Sequence, residues 1–434
     1  MFKSNSYHIY RVIFYLVGFL ILMALAVGLY AFVTESFGSF WDYSSFEISD
    51  WLINYEGGFV RRGLVGQILY GLYPLHPYPV RYASVGLYII GYLALGGLLV
   101  CIFKKQGWSI FLLPFTICLY YGFTCDLLWM RRDAWSLLIT MAIFYYYIKY
   151  SQSTKPLYLF LTYAFAAFTL LMHEAAFFYT FPVLMLHSLY TNVQQHHSII
   201  KAILRICTLW CPVILILLFV AIHKGDADTM NAIWASWQEC FHTYPTSTGE
   251  MPNVGNGVDF LNRTSSEAIK FHFGLVWMAR FAPYVPSAPF NIYLFLCTYY
   301  LITRLNTLDM RFYPLKPFDN IQLSNIVIVQ FVFLIPMFGF LSCDLGRVFP
   351  YWTISSLLLF YVLTKSKTAL SVPPIIKKWS TWLQHKIDGV SLLNKAWFYC
   401  LIIVTLPLNC YYGATYTGII PMQYLLKVLK YIPI

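Results

Sequence analysis

The sequence predicts an all-α fold, a polytopic transmembrane bundle of about 11 helices within a range of roughly 10 to 13. Hydrophobic residues make up 59% of the 434 residues and charged residues only 11%, whereas soluble domains carry about 25% charged residues. Apolar runs of about 15–23 residues recur along the chain, and each is long enough to form a transmembrane helix. The 36 Tyr and 13 Trp suit the aromatic belts of membrane interfaces. Residues 1–434 are therefore expected to form a single integral membrane domain.

The apolar runs give the order of the predicted spans. One run, 156–190, is interrupted only by His173-Glu174. It is too long for one ordinary span, so we divide it into two short helices that meet at this pair, although one span or two is left open. The predicted spans are 12–33, 82–103, 109–124, 134–148, 156–172, 174–190, 204–222, 288–303, 323–342, 350–364 and 396–411.

The distribution of charge predicts the orientation. With the N-terminus in the cytoplasm, 17 of the 29 basic residues fall in cytoplasmic segments, as the positive-inside rule requires. The acids lie on the other side, where 15 of the 18 are found. The net charge of +11 is thus explained by membrane orientation and indicates no nucleic-acid partner. The expected location is the bacterial inner membrane, with the acid-rich loops facing the periplasm or exterior.

Three loops stand out from this topology. The first outer loop, about 34–81, contains "RRGLVGQILYGLY", which is too short to cross the membrane and is expected to form an interfacial or re-entrant helix at the surface. The long outer loop covers 223–287, and a cytoplasmic amphipathic connector covers 365–395. Acidic and aromatic residues of the long loop are expected at its surface; they are Asp226, Asp228, Trp234, Trp237, Glu239 and His242.

Charged residues cluster at the predicted outer interface. The first loop carries "SDWLINYEGGFVRRGLVGQ", and further charges follow in "CDLLWMRRDAW", "MHEAA" and "CDLGRVF". Because charged groups at membrane depth are costly and need partners, we expect adjacent spans to bring them into one polar pocket. The residues are Asp50, Glu56, Arg61, Arg62, Asp126, Arg131, Arg132, Asp133, His173, Glu174, Asp344 and Arg347.

The chemistry of these side chains suggests a lipid-carried anionic substrate. Carboxylates act as general bases or hold divalent cations, and arginines bind phosphate through paired hydrogen bonds. The predicted catalytic residues are Asp50, Glu56, Asp133 and Glu174. Asp50 is predicted to be the general base, open to an approaching sugar, with Glu56 as its chief competitor. The predicted substrate-binding residues are Arg61, Arg62, Arg131, Arg132, His173, Asp344 and Arg347.

Each group also has a structural interpretation. Asp50 and Glu56 would form salt bridges to Arg61 or Arg62 in a solvated loop. Asp133 would begin a helix, where the dipole favours a negative charge. The pairs His173-Glu174 and Asp344–Arg347 would make structural hydrogen bonds or an ion pair. The sequence contains no metal-binding signature of standard spacing, so no cofactor is required, and a divalent cation held by the carboxylates is left open.

The layout resembles the GT-C glycosyltransferases, polytopic enzymes that take sugars from polyprenyl-phosphate donors. Asp50 corresponds to the acidic residue of their first outer loop, Asp126 and Asp133 to a further acidic motif, and 223–287 to their elongated loop. The resemblance implies transfer of a sugar from a polyprenyl-phosphate-linked donor to a glycan or lipid-linked acceptor. It implies an extracytoplasmic active site in cell-envelope polysaccharide biosynthesis.

Two alternatives are left open. An O-antigen or capsular polysaccharide polymerase would use repeats linked to undecaprenyl diphosphate, held by arginines. A transporter or flippase would be expected to place charges at the bilayer midplane and to show repeated halves, and neither feature is visible in the sequence.

Overall fold

The computed structural model describes residues 43, 45–104, 132–196, 198–245, 256–264, 266–267 and 270, and short pieces at 332–333, 351, 354–359, 361–363, 378 and 382. Every regular element in these ranges is a helix, so the all-α prediction is confirmed for this part of the chain. The predicted spans 12–33, 109–124, 288–303 and 396–411 lie outside it, as do nearly all of 323–342 and 365–395.

Ten α-helices and one short 3-10 helix make up the larger described ranges. The 3-10 turn Tyr73–Leu75 follows the second helix directly. The α-helices are α1 (Phe46–Leu52), α2 (Gly63–Leu72), α3 (Val80–Lys104), α4 (Asp133–Ser153), α5 (Pro156–Met172), α6 (Ala176–His196), α7 (Ile199–Ile222), α8 (Ala227–Ser236), α9 (Gln238–Thr243) and α10 (Asn256–Asp259).

Two of the described helices are long and apolar enough to cross a membrane. They are α7 and the Val80–Leu99 part of α3, which agree in place with the predicted spans 204–222 and 82–103. α7 begins at Ile199 after a serine cap, where Ser198 Oγ accepts from the amide of Lys201. Its large apolar side chains remain exposed along most of its length, including Ile200, Leu204, Leu215, Leu218 and Ile222.

The predicted helix break at His173-Glu174 is confirmed. α5 ends at Met172, His173 adopts an extended conformation with φ −161° and ψ 107°, and α6 begins at Ala176. The break is stabilised locally, because the amide of Ala176 donates to the carbonyl of His173 at 3.1 Å. α6 continues to His196, six residues beyond the predicted end at 190.

α4 lies at the centre of the helical bundle, packed against α3, α5 and α6, while α7 packs on α5 and α6. Hydroxyl groups join α4 to α6 inside this bundle, as is typical of helix contacts in membranes. Ser136 meets Tyr179 at 2.5 Å, Thr140 meets Thr180 at 2.8 Å, and Tyr147 meets Ser188 at 2.5 Å. The Trp210 indole of α7 also donates to Ser188.

Two loop regions fold onto each other beside the bundle. We call residues 45–79 the first loop region and residues 223–264 the long loop region. α10 packs on α1, and the amide of Gly257 donates to Ser49 Oγ at 2.7 Å. The indole of Trp237 donates to the carbonyl of Leu52 at 2.8 Å.

The surface position predicted for two tryptophans is wrong. Trp237 is 0% exposed and Trp234 is 7% exposed, because α8 and α9 turn their apolar sides toward the first loop region. Trp237 contacts Tyr70 edge to face, and Trp234 packs on Phe241. The polar members of the same prediction are at the surface as expected; they are Asp226, Asp228, Glu239 and His242.

The helix predicted within the first loop region forms as α2, which packs on α1 and α5. Gly66 permits this close packing, since a Cβ there would lie 1.9 Å from the carbonyl oxygen of Ile53. Ile68 and Leu72 of α2 are about half exposed, at 45% and 50%. α2 thus has an exposed apolar side. Its location at a membrane surface stays a prediction.

Candidate functional site

Five charged side chains form one ion-pair network, and we use this name for Asp50, Arg61, Arg62, Arg132 and Glu174. Asp50 comes from α1, the two adjacent arginines precede α2, Arg132 precedes α4, and Glu174 lies between α5 and α6. The expectation that the packing of separate helices gathers twelve polar residues into one pocket is therefore confirmed for these five, and it stays a prediction for the others.

The pair between Asp50 and Arg132 forms the buried end of the network. Arg132 Nη2 lies 2.8 Å from Asp50 Oδ2, and Arg132 Nε donates to the same oxygen at 3.2 Å. The two side chains are 5% and 0% exposed, and the guanidinium lies over the Trp51 ring. Removing one partner from such a pair leaves a buried charge uncompensated, so this contact fixes α1 to the start of α4.

Arg62 connects the buried pair to Glu174. Its Nη2 lies 2.7 Å from Glu174 Oε1, and its Nε donates to Oε2 at 3.0 Å, which is the paired geometry that guanidinium and carboxylate prefer. Arg62 Nη1 is 3.9 Å from Asp50 Oδ1. The carbonyl of Arg62 accepts a hydrogen bond from Arg132 Nη1 at 2.9 Å, so both its backbone and its side chain are held.

The backbone of Arg62 is in the left-handed region, with φ 65° and ψ 4°. A non-glycine residue there costs roughly 1–2 kcal/mol and persists only where surrounding contacts impose it. Here the constraints are the paired hydrogen bonds to Glu174 and the bond from Arg132. The amide of the preceding Arg61 also donates to the carbonyl of His223 at 2.8 Å.

Glu174 is an ionised partner within this network. Burial acts to raise its pKa, but the charge and hydrogen bonds of Arg62, followed by Arg61 and His173, outweigh burial and hold the pKa well below 4.5. The prediction that arginine loops supply the partner of Glu174 is thus confirmed, whereas its catalytic role stays a prediction. Nδ1 of His173 accepts from the amide of Ala175 at 3.2 Å, which fixes the orientation of the ring in the break between α5 and α6.

Arg61 is held much more loosely than Arg62. Its side chain is 30% exposed, and its nearest charged contact is a 3.8 Å separation between Nη1 and Glu174 Oε1. Its Nε is buried and makes no hydrogen bond within the described part of the chain. Burial lowers the pKa of Arg61, and Glu174 opposes this effect. Its guanidinium therefore retains hydrogen-bonding capacity that Arg62 has used.

The surroundings of Asp50 differ from the open approach predicted for it. The carboxylate is 5% exposed and ion-paired with Arg132, so a sugar hydroxyl does not reach it in this conformation. Glu56, in contrast, is exposed and accepts a hydrogen bond from Gln67 Nε2 at 3.2 Å. Asp133 is buried at the first residue of α4, which confirms the helix start predicted there.

Several positions fall outside the described residues or were not anticipated. Arg131, Asp344, Arg347 and Asp126 lie outside them, so their site roles stay predictions. The sequence did not predict a role for Gln67. Its side chain donates to Glu56 and accepts from the amide of Tyr55 at 2.6 Å, so it holds the turn that carries Glu56. A single uncharged amide in an apolar helix gives no sequence signal for this role.

The ion-pair network carries more positive than negative charge. Its three guanidinium groups and two carboxylates leave one positive charge in excess. Within the described ranges no group of three or more His, Cys, Asp and Glu side chains is arranged to hold a metal ion.

Comparisons with protein-family models, with curated proteins and with solved structures find no match to this chain.

Proposed function

We propose that this protein is a membrane glycosyltransferase that moves a sugar from a polyprenyl-phosphate-linked donor to a glycan or lipid-linked acceptor. The observation that carries the proposal is the ion-pair network, which places three arginines from two segments around two carboxylates. Guanidinium groups bind phosphate oxygens through paired hydrogen bonds, and the excess positive charge favours an anionic ligand.

The same proposal includes a membrane topology. About 11 spans, a cytoplasmic N-terminus and an active site on the extracytoplasmic face follow from the apolar runs and from the positive-inside rule. The two long apolar helices and the exposed apolar side chains of α7 support membrane insertion. A bacterial inner membrane and a role in cell-envelope polysaccharide biosynthesis complete the proposal.

Within the site we assign the general base to Glu56 rather than to Asp50. A general base must come within hydrogen-bonding distance of the proton that it accepts, and Glu56 is an exposed carboxylate of the first loop region. Asp50 is engaged with Arg132, which suits a positioning role. Gly57 and Gly58 follow Glu56, and no atom of the described residues lies within 4 Å of a Cβ built on Gly58, so the described part of the chain leaves this side of the turn open.

A polysaccharide polymerase is the second candidate. The observation that favours it is the excess of arginine over carboxylate in the network, because a donor linked through diphosphate carries more negative charge than a monophosphate donor. The two candidates differ in the donor they use and in the product they form.

Transfer by the purified full chain in lipid nanodiscs tests both candidates. The donors are undecaprenyl-phosphate-linked hexoses in one arm and undecaprenyl-diphosphate-linked oligosaccharide repeats in the other. We expect transfer of one sugar from the monophosphate donors, and growth of a glycan ladder from the repeats would identify a polymerase instead. Absence of turnover in both arms, with envelope-derived acceptors supplied and the protein monodisperse, would contradict the enzyme proposal.

A further inference from the structure

We propose that Arg61 is the residue that binds the phosphate of a lipid-linked phosphate, and that the exposed face of α7 binds its hydrocarbon chain. This inference rests on the proposed function and assigns different roles to the two adjacent arginines of the first loop region. Arg61 contacts the ligand, whereas Arg62 is a positioning residue.

Arg61 retains hydrogen-bonding capacity that Arg62 has used. Arg62 makes three hydrogen bonds to Glu174, and its backbone carbonyl is bound by Arg132. The guanidinium of Arg61 makes none within the described residues, and its closest carboxylate oxygen is 3.8 Å away. Buried donors in native proteins are nearly always satisfied, so the Nε of Arg61 calls for a partner of negative charge. Its partial exposure, 30% of the side chain, leaves a route for that partner.

The backbone of Arg61 is held at the end of α7. The amide of Arg61 donates to the carbonyl of His223, the C-cap residue directly after α7. Phe59 reinforces this contact, since its ring packs against Phe219 at 4.6 Å and His223 at 5.3 Å between centroids. Arg61 is therefore fixed beside the end of an apolar helix that is long enough to cross a membrane.

An exposed apolar face runs along α7 toward the end at which Arg61 is held. Leu215, Leu218 and Ile222 recur at helical spacing along α7 and are 58%, 52% and 75% exposed. Phe219 in the same turn is 46% exposed. An arginine held at the end of such a face matches an amphiphile whose phosphate and hydrocarbon chain are adjacent. The exposed apolar side chains Leu157 and Phe160 of α5 also follow a cation, Lys155, but that residue is exposed at the start of its helix, whereas the Nε of Arg61 is buried without a hydrogen bond in the described part of the chain.

Three probes separate the sources of the phosphate. Undecaprenyl phosphate carries both groups, undecaprenol lacks the phosphate, and inorganic phosphate lacks the chain. Binding to the purified full chain in detergent micelles is measured by calorimetry. We expect undecaprenyl phosphate to bind more tightly than either of the others. Equal affinity for undecaprenol would mean that the face contacts only bulk lipid, and equal affinity for inorganic phosphate would mean a site for free phosphate; either result overturns the proposal.

Matched variants test the two arginines. Arg61→Gln is expected to weaken binding of undecaprenyl phosphate by roughly 10- to 100-fold, as expected for loss of a hydrogen bond between charged groups, with Tm unchanged. Arg62→Gln is expected to lower Tm. Arg263→Gln, which removes a guanidinium stacked on Phe260 in the long loop region, is the control and should change neither quantity. Unchanged binding in Arg61→Gln would overturn the assignment.

The apolar face has its own variant and control. Replacing Leu218 and Ile222 together by alanine should weaken the binding of undecaprenyl phosphate and leave the binding of inorganic phosphate unaltered. The matched change of Leu157 and Phe160 to alanine on α5 should have no effect, and equal losses in both double variants would overturn the α7 assignment. Binding with this pattern but without sugar transfer would refute the proposed enzyme while leaving the lipid-phosphate site intact. If Arg61→Gln transfers sugar with wild-type donor affinity, the lipid-phosphate site at Arg61 is refuted and the proposed enzyme is retained.

Discussion

The two ends of the ion-pair network differ in ways that separate holding from binding. At one end Asp50 and Arg132 are almost fully buried and 2.8 Å apart. At the other end Arg61 and Glu174 are 30% and 20% exposed and 3.8 Å apart. A buried charge without its partner destabilises a fold, whereas a loosely paired, partly exposed guanidinium can exchange its partner for a ligand. The same residue types therefore serve different purposes according to burial.

Arg132→Met should produce the largest effect on stability. It removes the cation beside Asp50, and loss of one partner of a buried ion pair typically costs about 3–5 kcal/mol. Thermal unfolding in detergent should show a strongly lowered Tm or failure to obtain folded protein. The double variant Asp50→Leu with Arg132→Met provides the control, because it leaves no buried charge unpaired and should be more stable than Arg132→Met alone. A single variant as stable as wild type would show that the pair does not hold α1 to α4.

Glu56→Gln should lower sugar transfer by about 10²–10⁴-fold, the usual contribution of a general base. Donor binding and Tm should be retained, because Glu56 is exposed and its contact is to Gln67. Transfer from a polyprenyl-phosphate sugar by Glu56→Gln, Asp50→Asn and Asp133→Asn is measured in parallel. If Asp50→Asn folds normally and is inactive while Glu56→Gln is active, the base is Asp50.

The pairing of Glu174 predicts a defined pH dependence. Because its pKa in the folded protein lies well below 4.5, its contribution to stability is complete above about pH 4.5 and is lost as the pH falls below that value toward the folded pKa. Hydrogen bonds between charged groups contribute about 1.5–3 kcal/mol, so Tm should fall measurably in this range. Glu174→Gln should have a lower Tm at neutral pH and a smaller decline below pH 4.5. An identical decline in wild type and variant would show that Glu174 is not the titrating group.

Trp237→Phe should give the smallest effect. It removes the hydrogen bond from the indole to the carbonyl of Leu52 but keeps an aromatic ring against Tyr70. The expected loss is about 1–3 kcal/mol, because the buried carbonyl of Leu52 is left without its donor, and it should be visible as a decrease in Tm. A much larger loss would indicate that the contact between the two loop regions depends on the full indole volume.

The comparison also shows what sequence reasoning could and could not predict. The helix break at His173-Glu174 was predictable, because two polar residues interrupt an otherwise continuous apolar run. The gathering of charges was predictable from the cost of isolated charges near a membrane. Which arginine meets which carboxylate was not, since Arg61 and Arg62 are adjacent and identical in type, and only the left-handed backbone of Arg62 distinguishes their directions.

The burial of Trp237 escaped prediction for a related physical reason. Loop composition records which residues are apolar, but not that α8, α9 and α10 would pack onto the first loop region. Hydrogen bonds that join positions far apart in the chain, such as Trp237 to Leu52 and Gly257 to Ser49, leave no periodic pattern in either segment.

A structure of the protein determined with undecaprenyl phosphate tests the division between holding and binding most directly. We predict phosphate oxygens within hydrogen-bonding distance of the Arg61 guanidinium, an intact set of hydrogen bonds between Arg62 and Glu174, and the prenyl chain along Leu215, Leu218 and Ile222 of α7. A phosphate bound instead to Arg132, with Asp50 displaced, would contradict the claim that Arg61 binds the ligand while Asp50 and Arg132 hold the fold.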